Sequence, residues 1–516
     1  MRRFFLFFVW LTAVCLLAAC GADSSANATP DTGVTAVALP TAEPTQTPIP
    51  APTEPTPTAA APSPPTAEPT EAPTAVPTEE PTPEPTAMPP LTPTGEVNSA
   101  SLALIADGFT SPVGLTTARD GSDRLFVVDQ IGQIKIVTVD GEVLPVPFLD
   151  IRDRLVTLNE GYDERGLLGL AFHPAFADNG RFYIYYSAPL RADAPAGYDH
   201  TSYLAEYTVD ANNPDQADLA SEQIILQIDE PQANHNAGSI AFGPDGYLYV
   251  PLGDGGGAND NDEGHVADWY EANEGGNGQD IAQNLLGSIL RLDVDNEETN
   301  GRRYAIPPDN PFTDQPGAEE VWAIGFRNPY RLSFDMGGEH ALFVGDAGQD
   351  LWEEVSMVEG GGNYGWNVRE GAHCFSTSQP NQSPDSCPDT DADGRPLVDP
   401  IIEYQNANAT GGLGLVVIGG NIYRGSEMPQ WDGLYIFGDW STSFGQGDGT
   451  LLAAEPPAAA GGMWMVQEVS IANRPDGRLN EFLLSFGQDS MGELYILTSE
   501  TAGPSGSTGK VYKLMP

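Results

Sequence analysis

Ile240-Ala241-Phe242-Gly243-Pro244-Asp245-Gly246-Tyr247-Leu248-Tyr249-Val250-Pro251-Leu252 is an apolar run, a Gly/Pro/Asp turn and an aromatic, β-branched run. Such a stretch forms a hairpin, because turn residues stand where the chain must reverse. Its second half recurs as Leu125-Phe126-Val127-Val128-Asp129, Phe182-Tyr183-Ile184-Tyr185-Tyr186 and Leu342-Phe343-Val344-Gly345-Asp346. It recurs again as Leu434-Tyr435-Ile436-Phe437-Gly438-Asp439 and Leu494-Tyr495-Ile496-Leu497-Thr498. Some repeats add outer strands, such as Ser288-Ile289-Leu290-Arg291-Leu292-Asp293-Val294, and helical periodicity is nearly absent. Sheet repeats at a spacing of roughly 60 to 95 residues predict an all-β fold, a six-bladed β-propeller of four-stranded antiparallel blades. A pair of β-sandwiches would not repeat one inner hairpin in this way.

The propeller is expected over residues 98–516, and what precedes it reads differently. Arg2 and Arg3 lead an apolar run from Phe4 to Ala19, short for a membrane span and suited to a secretory signal. The run ends in Leu17-Ala18-Ala19-Cys20, which resembles a bacterial lipobox with Cys20 as the acylated residue. Residues 1–19 are therefore expected to be a lipoprotein signal peptide, with a membrane anchor at Cys20 and an exported, envelope location. Residues 20–97 are Pro, Thr, Ala and Glu with almost no large apolar side chains, so they are expected to be a disordered stalk. Extended at ~3.1 Å per residue, the stalk would reach roughly 200 Å.

The net charge of −51, with 22 Lys and Arg, excludes nucleic-acid binding through phosphate neutralisation. It accords with solubility in salt, and with divalent cations held by Gly/Asp/Asn loops. Cys374 and Cys387 stand in a Ser/Pro/Asp-rich loop, and in an oxidising compartment they are expected to form a disulfide.

In a propeller the residues leading into each inner strand meet those leaving the next strand around one mouth of the central channel. Those positions here are Asp163-Glu164-Arg165-Gly166, Asn234-His235-Asn236-Ala237-Gly238 with Gly253-Asp254-Gly255, and Arg327-Asn328-Pro329 with Asp346-Ala347-Gly348-Gln349-Asp350. The hairpin sets Asp254 beside His235, where a carboxylate would orient the imidazole as a general base. His173, in Phe172-His173-Pro174, reads as a turn cap. Arg327 suits either an anionic group or an anchoring role within its blade. The insertion from Gly257 to Asp280 reads as a surface loop over the mouth.

Glu164-Arg165-Gly166-Leu167-Leu168-Gly169-Leu170-Ala171-Phe172-His173-Pro174, His235-Asn236-Ala237-Gly238, Gly243-Pro244-Asp245-Gly246, Gly325-Phe326-Arg327-Asn328-Pro329 and Gly362-Asn363-Tyr364-Gly365-Trp366 occur in this order. Together they resemble the glucose/sorbosone dehydrogenase family, soluble sugar dehydrogenases that use pyrroloquinoline quinone (PQQ) and calcium. The resemblance implies that His235 takes the proton of a sugar hydroxyl, with Asp254 and Arg327 as its catalytic companions. It implies that Glu164, Asn328 and Arg478 touch cofactor or substrate, and that carbonyls of Gly348 and Gln349 hold Ca2+. A small sugar as substrate and an envelope electron acceptor would follow.

The chain departs from that pattern at Glu164, where the family usually has Gln, at Asn234, where it has Asp, and at Gly348-Gln349, where it has Gly-Pro. Gly438-Asp439-Trp440-Ser441-Thr442-Ser443 lacks an expected cation, and an Arg-x-Arg element survives only as Arg478-Leu479-Asn480. Gly345-Asp346-Ala347-Gly348-Gln349-Asp350-Leu351-Trp352 and Gly419-Gly420-Asn421-Ile422-Tyr423-Arg424-Gly425 are similar to the branch with the hedgehog-interacting protein propeller. For that branch a non-catalytic propeller binding envelope glycans or proteins is the alternative implied.

Overall fold

The computed structural model describes residues 99–273, 275–298, 301–313, 319–458 and 461–516. The expected signal peptide, Cys20 and the Pro/Thr-rich segment lie outside the described residues.

Strands joined by turns make up the fold. Each hairpin read from the sequence is an antiparallel pair, with Leu115 opposite Val127, Leu170 opposite Ile184, Ala241 opposite Tyr249, Leu332 opposite Val344, Ile422 opposite Tyr435 and Phe486 opposite Ile496. Four of these hairpins belong to separate four-stranded sheets spanning 167–230, 241–324, 331–405 and 417–468. The other two lie in one nine-stranded sheet that brings together the first and last strands of the described residues. It consists of an antiparallel group at 112–150 and another at 482–515, joined through the parallel pairing of Leu115 with Gly487, together with the strand Ser99–Phe109 and the short strand Ser470–Ile471 parallel to it.

The strand Ser99–Phe109 was not foreseen. It pairs antiparallel with the C-terminal strand Gly509–Met515, Leu102 opposite Leu514, and so completes the last group with the first strand of the domain. Its buried Ala100, Leu102, Ala106 and Phe109 face the core while Leu104 is exposed.

Apolar side chains lie between neighbouring sheets. Phe126 and Ile134 pack with Phe182 and Ile184, Tyr183 and Tyr185 with Leu248 and Leu290, and Tyr249 and Ile289 with Leu332 and Val344. Phe343 and Val355 meet Phe437 and Leu452, Ile436 and Leu451 meet Leu483 and Ile496, and Tyr495 and Leu497 meet Leu115 and Leu125. Each sheet thus buries both faces against a neighbour, in a succession that returns to its start. This is the packing of a propeller-like fold. Cys374 and Cys387 are joined, Cα atoms 5.6 Å apart, in the segment between the third and fourth strands of the 331–405 sheet.

Candidate functional site

The segment Asn234–Gly238 leads into the inner strand Ala241–Phe242 through an unusual backbone, with φ of 60° at His235 and 46° at Ala237. Residues with a β-carbon avoid this left-handed region, and where they occupy it the surroundings must hold them there. Gly253 allows the returning chain to pass beneath, since a Cβ there would stand 1.9 Å from the His235 carbonyl oxygen. The next residue, Asp254, is thereby placed with Oδ1 2.6 Å from His235 Nδ1, both side chains buried. Asp254 Oδ1 also accepts the Gly256 N–H at 2.9 Å, and Oδ2 accepts the indole N–H of Trp366 at 2.8 Å. Burial alone would raise the Asp254 carboxyl, but His235, His265 and Arg327 hold it below its ordinary value. An ionised carboxylate only accepts, so the Nδ1 of His235 bears the proton facing Asp254, and in the neutral imidazole the lone pair lies on Nε2.

Glu164 ties three sheets together at this point. Its Oε2 accepts the backbone N–H of His235 at 2.8 Å and the side-chain amide of Asn328 at 3.2 Å, and Oε1 accepts the Tyr162 hydroxyl at 3.0 Å. Asn328 Oδ1 in turn accepts the Ala237 N–H at 3.2 Å. Glu164 and Asn328 therefore fix the loop that carries His235, and their polar atoms are occupied by protein partners. The N–H groups of Arg327 and Asn328 donate to Asp346 at 3.0 and 2.6 Å. The Arg327 guanidinium reaches Gln349 Oε1 at 3.0 Å and the Ala347 carbonyl at 3.0 Å, and lies 5.5 Å from the Trp366 ring centroid. Gly348 donates to Glu353 Oε2 at 3.3 Å, and Gln349 also accepts the Asn259 N–H at 3.1 Å.

Arg478 is elsewhere. Its guanidinium binds both Asp448 carboxylate oxygens, at 3.1 and 2.9 Å, and Glu468 at 2.6 Å, and it has no contact with the His235 group. His173 accepts the Ala175 N–H at 3.0 Å, a turn cap as read.

Two contributors were missed. Trp366 lies in one of the quoted motifs but was given no role, because nothing in its spacing reveals that its indole ends on Asp254. The insertion from Gly257 to Asp280 holds a second His–Asp pair, His265 Nδ1 to Asp260 Oδ1 at 2.6 Å, with both side chains buried. Burial pushes the Asp260 carboxyl up to about 7, and it also accepts the N–H groups of Asn277 and Gly278 at 2.9 and 3.0 Å. Asn277 donates to the Asp254 carbonyl at 2.7 Å. This insertion is thus tied to the backbone of Asp254. Its only sequence signal was a His five residues after an Asp in a polar loop.

The sheets thus set an oriented His–Asp pair and an arginine at one end of a propeller-like fold. The family model for Glucose / Sorbosone dehydrogenase matches residues 109–444, and the chain belongs to that family. It is 30% identical over 420 residues to the Hedgehog-interacting protein of Homo sapiens, covering 80% of this chain and 52% of that one. The chain thus spans about half the length of that relative. A crystal structure of a glucose dehydrogenase superposes with a TM-score of 0.57 at 20% identity, covering 80% of this chain and 99% of the other. The PQQ-bound aldose sugar dehydrogenase of Streptomyces coelicolor gives 0.52 at 20% identity, covering 81% and 98%. At such identity the solved structures show the fold.

Proposed function

We propose that this protein is an envelope sugar dehydrogenase that oxidises an aldose or related sugar at the His235 mouth. The observation that carries this reading is the buried His235–Asp254 pair, held at 2.6 Å with Trp366 and Gly256 saturating the carboxylate. His235 Nε2 would accept the proton of the hydroxyl being oxidised, and Asp254 would stabilise the imidazolium that forms. Glu164 and Asn328 keep the loop in its left-handed conformation, so the base is held in position before substrate arrives.

The donor set suits a hard cation and one anionic group. Asn259 Oδ1 and Asn367 Oδ1 are buried without a hydrogen-bond partner among the described residues, and both residues adjoin Gln349 through Asn259. With the carbonyls of Gly348 and Gln349 they would make an oxygen-rich corner of the kind calcium selects. Arg327, over the flat face of Trp366, would receive a carboxylate. PQQ with Ca2+, when bound, supplies the hydride acceptor. The succession of packed sheets supports six blades, and Cys20 would anchor the chain so that an envelope acceptor takes the electrons.

The second reading is a non-catalytic propeller that binds glycans or proteins. It is favoured by the fate of Arg478 and by the buried Asp439 and Trp440 where a cation would be expected. The test is to add PQQ and Ca2+ to the purified protein and follow quinone binding and dye reduction with a panel of aldoses. Saturable binding and turnover, both lost in His235→Ala, are expected. Absence of quinone binding at micromolar cofactor would leave the second reading.

A further inference from the structure

In so acidic a chain positive charge is scarce, and almost all of it faces a carboxylate. Among the described residues every lysine and all arginines but three lie within 4.0 Å of an acidic oxygen. The exceptions are Arg327, Arg119 and Arg331. Arg327 belongs to the mouth. Arg119 and Arg331 line one cavity of about 200 Å³ further along the inner strands, with Ser333, Gly420 and Phe486.

Arg331 is the unusual member. It is buried, with 6% of its surface exposed. Its Nε–H donates to Ser485 Oγ at 3.0 Å, Nη1 to the Tyr330 carbonyl at 3.1 Å and Nη2 to the Val113 carbonyl. The guanidinium carbon lies 3.9 Å from the Tyr330 ring centroid. All these partners are neutral, and a guanidinium has five N–H donors, so two remain. Burial pushes the Arg331 guanidinium below its ordinary value, yet arginine stays charged in proteins. A buried charge without a counter-charge costs several kcal/mol, and proteins compensate it with a partner. Arg119 makes no ion pair or hydrogen bond among the described residues, so it adds positive potential to the cavity without cancelling it. A water occupies roughly 30 Å³ in the liquid, so the cavity has room for a small hydrated ion.

We propose that the central channel holds a small anion, a halide, carboxylate or phosphate-type ion, on Arg331 with Arg119 nearby. None of Glu164, His235, Asp254, Arg327 and Asn328 lines this cavity. The anion would neutralise the one buried guanidinium that inner strands from different sheets share.

Thermal unfolding at constant ionic strength, in bromide, acetate or phosphate against a bulky sulfonate too large for the cavity, tests the proposal. An anion that binds only the folded state should raise Tm by about 3 °C near a hundredfold excess over its Kd. The three salts identify which kind of anion the site prefers. Arg331→Met should abolish that dependence, while Arg119→Ala should weaken it. Crystals of the wild-type protein grown in bromide should show anomalous density within about 3.5 Å of the Arg331 guanidinium. Equal Tm in all salts with no bromide density overturns the proposal, as does an unchanged anion response in Arg331→Met. Should Arg331→Met fail to fold, the wild-type bromide map decides by the presence or absence of that density.

Discussion

Asp254 and Asp439 stand at the same end of the second strands of their sheets, Asp439 as the last residue of Tyr435–Asp439 and Asp254 three residues past Leu248–Pro251, and do opposite things. Asp439 accepts the N–H groups of Leu415, Val416 and Ser441 at 2.9, 3.1 and 3.0 Å, and the Tyr404 hydroxyl at 2.7 Å. It braces the chain leading into Val417–Ile422, the inner strand of its own sheet. Asp129 does so for Thr110 and Ser111, and Asp346 for Arg327 and Asn328. Asp254 instead accepts from the side chains of His235 and Trp366. Burial pushes the Asp439 carboxyl up to about 7, while the cationic surroundings of Asp254 hold it down. One repeated structural position thus yields a protonatable brace where only neutral donors face it, and an ionised orienting group where a histidine does.

The sharpest way to break this comparison is to make the same change at both positions. Asp254→Asn presents an amide N–H to either His235 or Trp366, both of them donors, and so loses the imidazole orientation. With PQQ and Ca2+ supplied, kcat/KM should fall by at least ~10²-fold, while Asp439→Asn should leave it within about twofold. Equal losses in both variants would make Asp254 one more brace.

Stability should separate them in the other direction. Asp439→Ala orphans four buried or half-buried donors, and unfolding in urea should show a loss of about 3 kcal/mol or more. The pH dependence has a definite sign. The Asp439 carboxyl has a folded value of about 7 against 3.8 as its ordinary value, so the folded state holds the proton more tightly. Its contribution to stability is full below about pH 4 and is lost as pH rises through about 7. Urea midpoints of Asp439→Asn should therefore fall less between those values than those of the wild type. Asp254, whose folded value is lowered, contributes in the reverse sense, losing its share as pH falls.

Much of this was legible because a β-repeat writes itself into the chain. Leu342–Asp346 and Tyr435–Asp439 alternate with glycine turns as hairpins must, and the pairing of His235 with Asp254 followed from hairpin geometry alone. What stayed hidden depends on contacts far apart in sequence. Ser99–Phe109 resembles any edge strand until the C-terminal strand is placed beside it. That the Glu164 oxygens meet His235, Asn328 and Tyr162 follows from three sheets converging there, which no local stretch of sequence reveals. Arg478 stood near a motif remnant, but Asp448 and Glu468 are closer neighbours than the mouth. Tertiary pairing, and not residue order, decided each of these.

Trp366 offers the finest adjustment of the comparison, since among the described residues it is the one donor to the Asp254 carboxylate from the span of another sheet. Trp366→Phe keeps an aromatic face beneath Arg327 and removes the N–H that Oδ2 accepts. The carboxylate would retain His235 and Gly256, so the pair should survive with a weaker hold on the imidazole. Loss of one charge-assisted hydrogen bond should destabilise the fold by about 1.5–3 kcal/mol at most. It should lower kcat/KM by about tenfold and move the acidic limb of the pH–rate profile upward, because a carboxylate with fewer donors is protonated more readily. A variant with unaltered pH profile and unchanged kcat/KM would show that Trp366 merely fills space, and that His235 alone fixes the state of Asp254.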